Sequence, residues 1–343
     1  MSLRGEDAYD AVLWLSFGGP ESKEDVVPFL QNVTRGRNIP RERLELVAHQ
    51  YYLFDGVSSI NEQNRAMIEA VREELKSRDL ALPIYFGNRN WHPYVEHTVG
   101  QMITDGVKKA LVFVTSAYSS YSSCRQYRMD IARSIEANAD TGSIVLHKVR
   151  GFYNHPKFLN SLVELTVMTF RSAGSPRPST TAFVTTAHSI PLAMASACDY
   201  ESQLRFVNSY LKKELEQALG NTYRVDHAFQ SRSGPPSQPW LEPDVGDKID
   251  ELASEGFSEV VVVPIGFISD HQEVRYDLDT LAKERAETAG VNMYRVPTAS
   301  NSSLFISMVA DLIEERLADH GTRLAVGAAL PDFCEEHCCL FSE

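Results

Sequence analysis

Short apolar runs recur along the chain, and between them apolar residues return at three- and four-residue intervals. The runs Ala11–Ser16, Ile84–Gly87, Ala110–Thr115 and Ile144–Val149 form a first set of predicted strands. Ala182–Ala187, Val225–Gln230, Val260–Pro264 and Asn292–Val296 form a second. Helical periodicity predicts helices over Ile60–Ser77, Val95–Asp105, Tyr200–Ala218 and Val274–Ala289. The strands are nearly continuous in apolar residues rather than alternating, so both faces are expected to be covered, as in parallel sheets flanked by helices. Ser172–Ser179 is rich in Ser, Pro and Gly and reads as a linker. The predicted fold is α/β: two Rossmann-like domains, each a four-stranded parallel sheet flanked by helices, with a cleft between them. Residues 1–171 form the first, 172–325 the second, and 326–343 a cysteine-bearing tail.

Ligands of such sheets bind beyond the carboxyl ends of the strands. Chemistry is therefore sought just after each run. The first run ends in Ser16-Phe17-Gly18-Gly19-Pro20, a glycine turn that lets backbone approach a ligand closely. It equally suits a plain strand-to-helix turn. The third leads into Ala117–Cys124, a loop of hydroxyls and aromatics. In the second half His188 follows a strand within Thr185–Pro191, and Pro264–Glu273 brings Asp270, His271 and Glu273. A lone strand-end histidine is most often structural, and carboxylates such as Asp270 and Glu273 also suit a helix N-terminus. Histidine and carboxylates at two strand ends of one sheet favour a site that moves protons or meets a divalent metal. Nucleotide binding is poorly supported, since neither Gly-x-Gly-x-x-Gly nor a P-loop occurs. Gly-x-Ser-x-Gly and His-Glu-x-x-His are also missing, which disfavours a serine hydrolase and a zinc protease.

Composition narrows the class. The 343 residues are 43% hydrophobic and 23% charged, which is ordinary globular usage rather than that of a disordered chain or coiled coil. Basic residues number 33 against 46 acidic, a net charge of −13 that argues against nucleic-acid binding. No apolar run approaches the ~20 residues of a membrane-spanning helix, and polar Met1–Asp10 is no secretory signal, so a cytoplasmic location is expected. Three of five cysteines, Cys334, Cys338 and Cys339, lie in the last ten residues. That clustering favours metal or redox chemistry over disulfides, with oxidation-prone surface thiols as the alternative. Tetrahedral metal needs a fourth thiolate, for which Cys124 and Cys198 both remain open.

Taken together, five motifs in order resemble the ferrochelatase family, which inserts ferrous iron into a porphyrin. They are Ser16–Pro20; Asp55-Gly56-Val57-Ser58-Ser59-Ile60-Asn61; His188-Ser189-Ile190-Pro191; Gln230-Ser231-Arg232 with Pro239-Trp240-Leu241; and Gly266–Glu273. The resemblance runs from about Ala11 to the C-terminus. It implies that His188 is the catalytic histidine and Glu273 its acidic partner, the two meeting the substrate iron. It places Arg35 and Arg37 in a loop over the porphyrin edge and Ser58 and Tyr127 against propionates. Phe17 stands where other members carry a tyrosine, and a phenyl ring cannot ligate iron. Phe17, Ile190, Trp240 and Phe267 suit the apolar face of the macrocycle, while Asp270 is a candidate for passing protons onward from Glu273. The tail resembles that of actinobacterial members, which implies a [2Fe–2S] cluster on Cys124, Cys334, Cys338 and Cys339. In that branch the expected substrates are Fe(II) and coproporphyrin III, and the coproheme formed passes to a downstream coproheme decarboxylase. A monomer is expected. The competing readings are a protoporphyrin IX ferrochelatase, a chelatase for another metal, and a non-catalytic tetrapyrrole- or metal-binding protein.

Overall fold

The computed structural model describes residues 8–36, 39–235, 237–317 and 322–341. Eight strands fall where the apolar runs place them: β1 (Ala11–Ser16), β2 (Ile84–Asn88), β3 (Lys109–Val114), β4 (Val145–Lys148), β5 (Thr181–His188), β6 (Arg224–Gln230), β7 (Glu259–Val263) and β8 (Asn292–Arg295). They form two four-stranded sheets, ordered β2-β1-β3-β4 and β6-β5-β7-β8. Every pairing is parallel, with Leu13 opposite both Tyr85 and Val112, and Phe183 opposite both Val225 and Val261. The expected fold class is the observed one. Central strands β1, β3, β5 and β7 are buried almost throughout, whereas β4 and β8 at the edges are short and half-exposed. In each sheet the connections diverge between the two central strands, at β1/β3 and β5/β7. Those are the two places where such a sheet opens a binding crevice.

One hydrophobic cluster spans both sheets. It includes Trp14, Phe113, Phe152 and Phe158 from the first half and Phe183, Val261 and Phe305 from the second. The Phe113 and Phe152 rings stack at 5.5 Å, and Phe305, on the helix Ser303–Leu317, meets both edge-on. That late helix packs on Pro156–Ser172 and Ile60–Ser77, so the chain returns to the first sheet at its end. A buried ion pair fastens the return: Arg150 grips both carboxylate oxygens of Glu315, at 2.8 and 3.0 Å. Removing one partner would strand a buried charge, which typically costs about 3–5 kcal/mol. The two sheets are thus held at a fixed spacing by a common core. Among the described residues no helix is long and apolar enough to cross a membrane.

The pattern over Val274–Ala289 resolves differently from the single predicted helix. A short helix, Gln272–Val274, runs into a π-helical stretch, Arg275–Ala282, and then into Lys283–Thr288. The buried residues explain the widening. Val274, Leu278, Ala282 and Ala286 recur at every fourth position, a longer period than the 3.6 of an α-helix. Widening the turn keeps all four against the core. Such π segments concentrate at functional sites.

Candidate active site

His188 is the last residue of β5, paired with Gln230 on β6. Its Nδ1 lies against the Ser189 carbonyl. A carbonyl only accepts, so Nδ1 carries the proton and Nε2 faces the cleft. There Nε2 stands 3.6 Å from Glu273 Oε1, with the two side chains 34% and 42% exposed. Burial works to lower the His188 pKa, but the Glu273 carboxylate and the Ser189 carbonyl outweigh it and push it up to about 9. Glu273 is desolvated, yet the His188 charge holds its pKa below the usual carboxylate value. At rest the two therefore share a proton as an imidazolium–carboxylate pair. Neighbouring His271 is held neutral, its pKa lowered by burial and by the His188 charge.

The loop past β7 reaches this spot because Gly266 crosses β5 at close range. A Cβ there would meet the Ala187 Cβ at 2.6 Å, so no other residue fits without moving the strand. Four residues beyond Glu273, on the π-helical stretch, Asp277 accepts hydrogen bonds from Ser231 Oγ and, at 3.5 Å, from Gln230 Nε2. Burial, then the charge of Glu273, raise its pKa to about 7. Three acid–base groups thus stand in sequence: His188, Glu273, Asp277. Asp270 has a different task from the proton transfer its position suggested. Its carboxylate meets Arg295 Nη1 at 2.5 Å and accepts from Thr298 N–H at 3.3 Å. It is a strut rather than a relay.

The facing wall is the turn after β1. Gly18 adopts φ +82, and a Cβ on it would lie 2.9 Å from Asn88 Cβ and 3.1 Å from Trp91 N. Phe17 beside it is 38% exposed. Its carbonyl accepts from Asn90 N–H, and a buried amide network of Asn61, Asn64 and Asn88 pins the turn to Trp14, Ser16 and the His92 carbonyl. Phe29 joins Phe17 to Tyr51 edge-on, at 6.3 and 5.9 Å. Burial raises the Tyr51 pKa and the Glu273 charge raises it further. The helix Arg41–Tyr52 therefore brings the first half of the chain near the carboxylate, and just past its end the Arg275 guanidinium, two residues beyond Glu273, lies 4.5 Å from the Phe54 ring centroid.

The remaining predicted contacts divide. Arg35 is exposed on the rim, bonded to Asn32 Oδ1 at 2.7 Å; Arg37 lies outside the described residues. Ser58 and Tyr127 are each only 5% exposed. Ser58 packs on Gly19, and Tyr127 lies in the core beneath the Arg89 guanidinium, 5.6 Å from its ring centroid. Ile190 and Phe267 are likewise buried, leaving Phe17 as the open aromatic of the turn. Tyr51, Gln63, Asp277 and Arg295 were not singled out from the sequence. Only Asp277 carried a signal, its spacing of four from Glu273.

All five thiols line one cavity of about 560 Å³, walled by Ser116–Ser119, by Ser196–Asp199 and by tail residues from Leu330 to Cys339. Cys338 and Cys339 sulfurs lie 3.6 Å apart. Cys124 donates to Cys334: that bond, and then burial, raise the Cys124 pKa, while the same bond, against burial, lowers that of Cys334 to about 7. Cys198 instead donates to the Met194 carbonyl at 3.3 Å. Arg125 and Arg128 hold the tail by the carbonyls of Glu336 and Glu335. Among the described residues no three His, Cys, Asp or Glu side chains converge as a single-ion site.

Comparison with known proteins gives concordant matches. A family model described as Ferrochelatase matches residues 9–317. The coproporphyrin III ferrochelatase of Frankia alni is 46% identical over 97% of this chain and 87% of its own length. That of Mycolicibacterium smegmatis is 47% identical over 92% and 91%. A ferrochelatase of Rhodopirellula baltica is 44% identical over 97% and 94%. Among solved structures, SirB from Bacillus subtilis with Fe3+ superposes with a TM-score of 0.52 at 11% identity, covering 90% of this chain and 96% of that one. At that identity the likeness is one of fold.

Proposed function

The chain belongs to the ferrochelatase family, and from that premise we propose that it inserts Fe(II) into coproporphyrin III, releasing two protons and forming coproheme for haem synthesis. The observation that carries the chemistry is the contact of His188 Nε2 with Glu273 at the β5/β7 opening. A free-base porphyrin holds two pyrrole N–H protons that must leave as the metal enters. With Nδ1 fixed on the Ser189 carbonyl, Nε2 is the atom of His188 that takes them. At rest that atom is protonated, because Glu273 raises the imidazole pKa to about 9. An arriving divalent cation reverses the balance, since its charge beside the ring expels the proton. Glu273 receives it, and Asp277, poised near 7, carries it onward. The apolar wall at Phe17 lies against the macrocycle, with Arg35, Arg37, Ser58 and Tyr127 assigned to its carboxylate rim. For Ser58 and Tyr127 this requires the rim to open, since both hydroxyl-bearing side chains are covered.

Both walls of the cleft come from one chain, which supports function as a monomer. Coproheme is consumed by a decarboxylating enzyme, because its propionates exceed those of haem. Two relatives named for coproporphyrin III favour that substrate. Protoporphyrin IX is the second reading, since one relative carries the plain family name. Anaerobic incubation with Fe(II), followed at the Soret band, should give faster turnover with coproporphyrin III than with protoporphyrin IX. Equal rates would remove the preference; binding without insertion would make the protein a carrier.

Glu273→Gln tests the pair directly. Without the carboxylate burial is opposed only by the Ser189 carbonyl and the Asp277 charge, so the His188 pKa should fall from about 9 toward the ordinary 6.5. The rising limb of kcat/KM against pH should therefore move from near 9 to the acid side by about one to two units, with turnover reduced about tenfold or more. An unmoved limb would show that Glu273 does not tune His188.

The cysteine cavity fits an iron–sulfur group. Tetrahedral iron with bonds of about 2.3 Å sets neighbouring thiolates about 3.7–3.8 Å apart, close to the 3.6 Å between the Cys338 and Cys339 sulfurs. Cys334 neighbours both Cys124 and Cys338, so the four thiols stand in one connected set. A two-iron cluster suits this arrangement better than one ion, since among the described residues no three ligating side chains converge on a single point. Cys124, Cys334, Cys338 and Cys339 would hold a [2Fe–2S] cluster, whose covalent bonds to the thiolates would order the tail. Its role is structural or sensory, since these thiols line a cavity apart from the His188–Glu273 pair.

A further inference from the structure

We infer that Gln63 is a positioning residue for metal insertion, registering the loop that carries Glu273 against the porphyrin-facing wall. The inference rests on the function proposed above. Asp270 precedes Glu273 by three residues, and the Gln63 carboxamide engages both of its backbone groups. Asp270 N–H donates to Gln63 Oε1 at 3.0 Å, and Gln63 Nε2 donates to the Asp270 carbonyl at 3.3 Å. Ser59 Oγ donates to the same carbonyl at 2.7 Å and accepts from Gln63 Nε2 at 3.1 Å, closing a small ring of hydrogen bonds. The side chain thus imitates a peptide group across the cleft. Among uncharged side chains an amide offers donor and acceptor in that geometry.

The two ends of this contact belong to opposite walls. Gln63 lies in the first turn of the helix Ile60–Ser77, which follows directly from Ser58. Ser58 N–H bonds to the Pro20 carbonyl at 2.8 Å and its side chain packs on Gly19, so the helix start moves with the Phe17 turn. Asp270 belongs to the loop that carries Glu273. On its far side that loop is braced within its own half. Arg295 holds Asp270 through Nη1 and, through Nε and Nη2, grips both oxygens of Asp279 at 2.6 and 3.0 Å. Asp270 and Asp279 bracket Glu273 in sequence, so Arg295 keeps the loop and the π-helical stretch in one piece. Gln63 and Ser59 tie that piece to the other wall. Without the amide only the Ser59 hydroxyl still holds the Asp270 carbonyl, so the loop keeps its shape but its registration to the macrocycle loosens, where a misplacement of about 1 Å can cost about 10²-fold in rate.

The test uses Gln63→Leu, which keeps the volume and removes both hydrogen bonds, and Gln63→Glu, which keeps the acceptor but sets a carboxylate against the Asp270 carbonyl. Coproporphyrin III affinity and the number of binding sites are read by fluorescence quenching, and Fe(II) insertion is expressed as kcat per binding site. For both variants kcat per site should fall about 10–100-fold while porphyrin affinity stays within about threefold. A merely structural role would lower the number of sites and leave kcat per site unchanged, and that result in either variant overturns the inference. The unmodified protein in the same assay separates the two claims. If it fails to insert iron the proposed function is wrong; if it inserts iron and Gln63→Leu matches it per site, only the positioning role is lost.

Discussion

Replacing His188 with alanine should lower Fe(II) insertion by about 10²–10⁴-fold, the contribution of a positioned acid–base group, while coproporphyrin affinity changes only a few-fold. The separation follows from where the imidazole stands. Its Nδ1 is committed to the Ser189 carbonyl, and its Nε2 meets Glu273 rather than a cationic rim group. Removing it takes away the proton acceptor without touching the apolar wall at Phe17. The fold should tolerate the change. The side chain is a third exposed, and the backbone carbonyl of His188 keeps its bond from the Tyr200 hydroxyl at 3.0 Å. Single-turnover insertion with preformed porphyrin complex, followed at the Soret band, isolates the chemical step from binding. Near-normal turnover would remove His188 from the chemistry and shift the acid–base role to Glu273 and Asp277.

The sheets were legible because their central strands are buried on both faces and so read as unbroken apolar runs. Even the edge strands fell within a residue or two of their expected ends. His188 and Glu273 could be singled out because the rule for parallel sheets directs attention to the residues just past β5 and β7. What stayed hidden was set by contacts between distant segments. The register of Gln63 against Asp270 depends on the spacing of the two walls, which the shared core around Phe113 and Phe305 fixes and no local pattern records. The work of Asp270 was hidden for the same reason: its partner Arg295 arrives from β8. Asp277 was concealed differently. Its spacing of four sets it on the face of Glu273 in an α-helix as well as in the π turn, but its partners Ser231 and Gln230 arrive from the end of β6, which no local pattern records.

The cysteine tail leads to the second large effect: Cys124→Ser or Cys338→Ser should abolish the visible iron–sulfur spectrum, whereas Cys198→Ser should leave it intact. Anaerobically prepared protein should be reddish-brown, with about two irons and two sulfides per chain. The distinction among the cysteines is geometric. Cys334 bonds to both Cys124 and Cys338, and Cys338 neighbours Cys339, while Cys198 turns its thiol to the Met194 carbonyl. All five share a cavity, so proximity alone would not choose among them. Thiol-to-thiol contact does. Loss of the cluster should also loosen the tail, because its other ties beyond Leu330 are few: Arg125 and Arg128 reach it by backbone carbonyls, Asp332 pairs with Arg316 and Arg323, and Phe341 meets Tyr121 edge-on at 5.9 Å. Phe333, though ringed by His147 and Arg316, remains largely exposed. Limited proteolysis of the Cys124→Ser protein should therefore release residues after about Leu330 sooner than in the cluster-bearing form, an opening governed by local rather than global stability. Colourless protein with one zinc per chain would replace the cluster by a four-thiolate ion. A full iron–sulfur spectrum in Cys124→Ser together with its loss in Cys198→Ser would move the fourth ligand to the other side of the cavity, onto the half of the chain that carries His188.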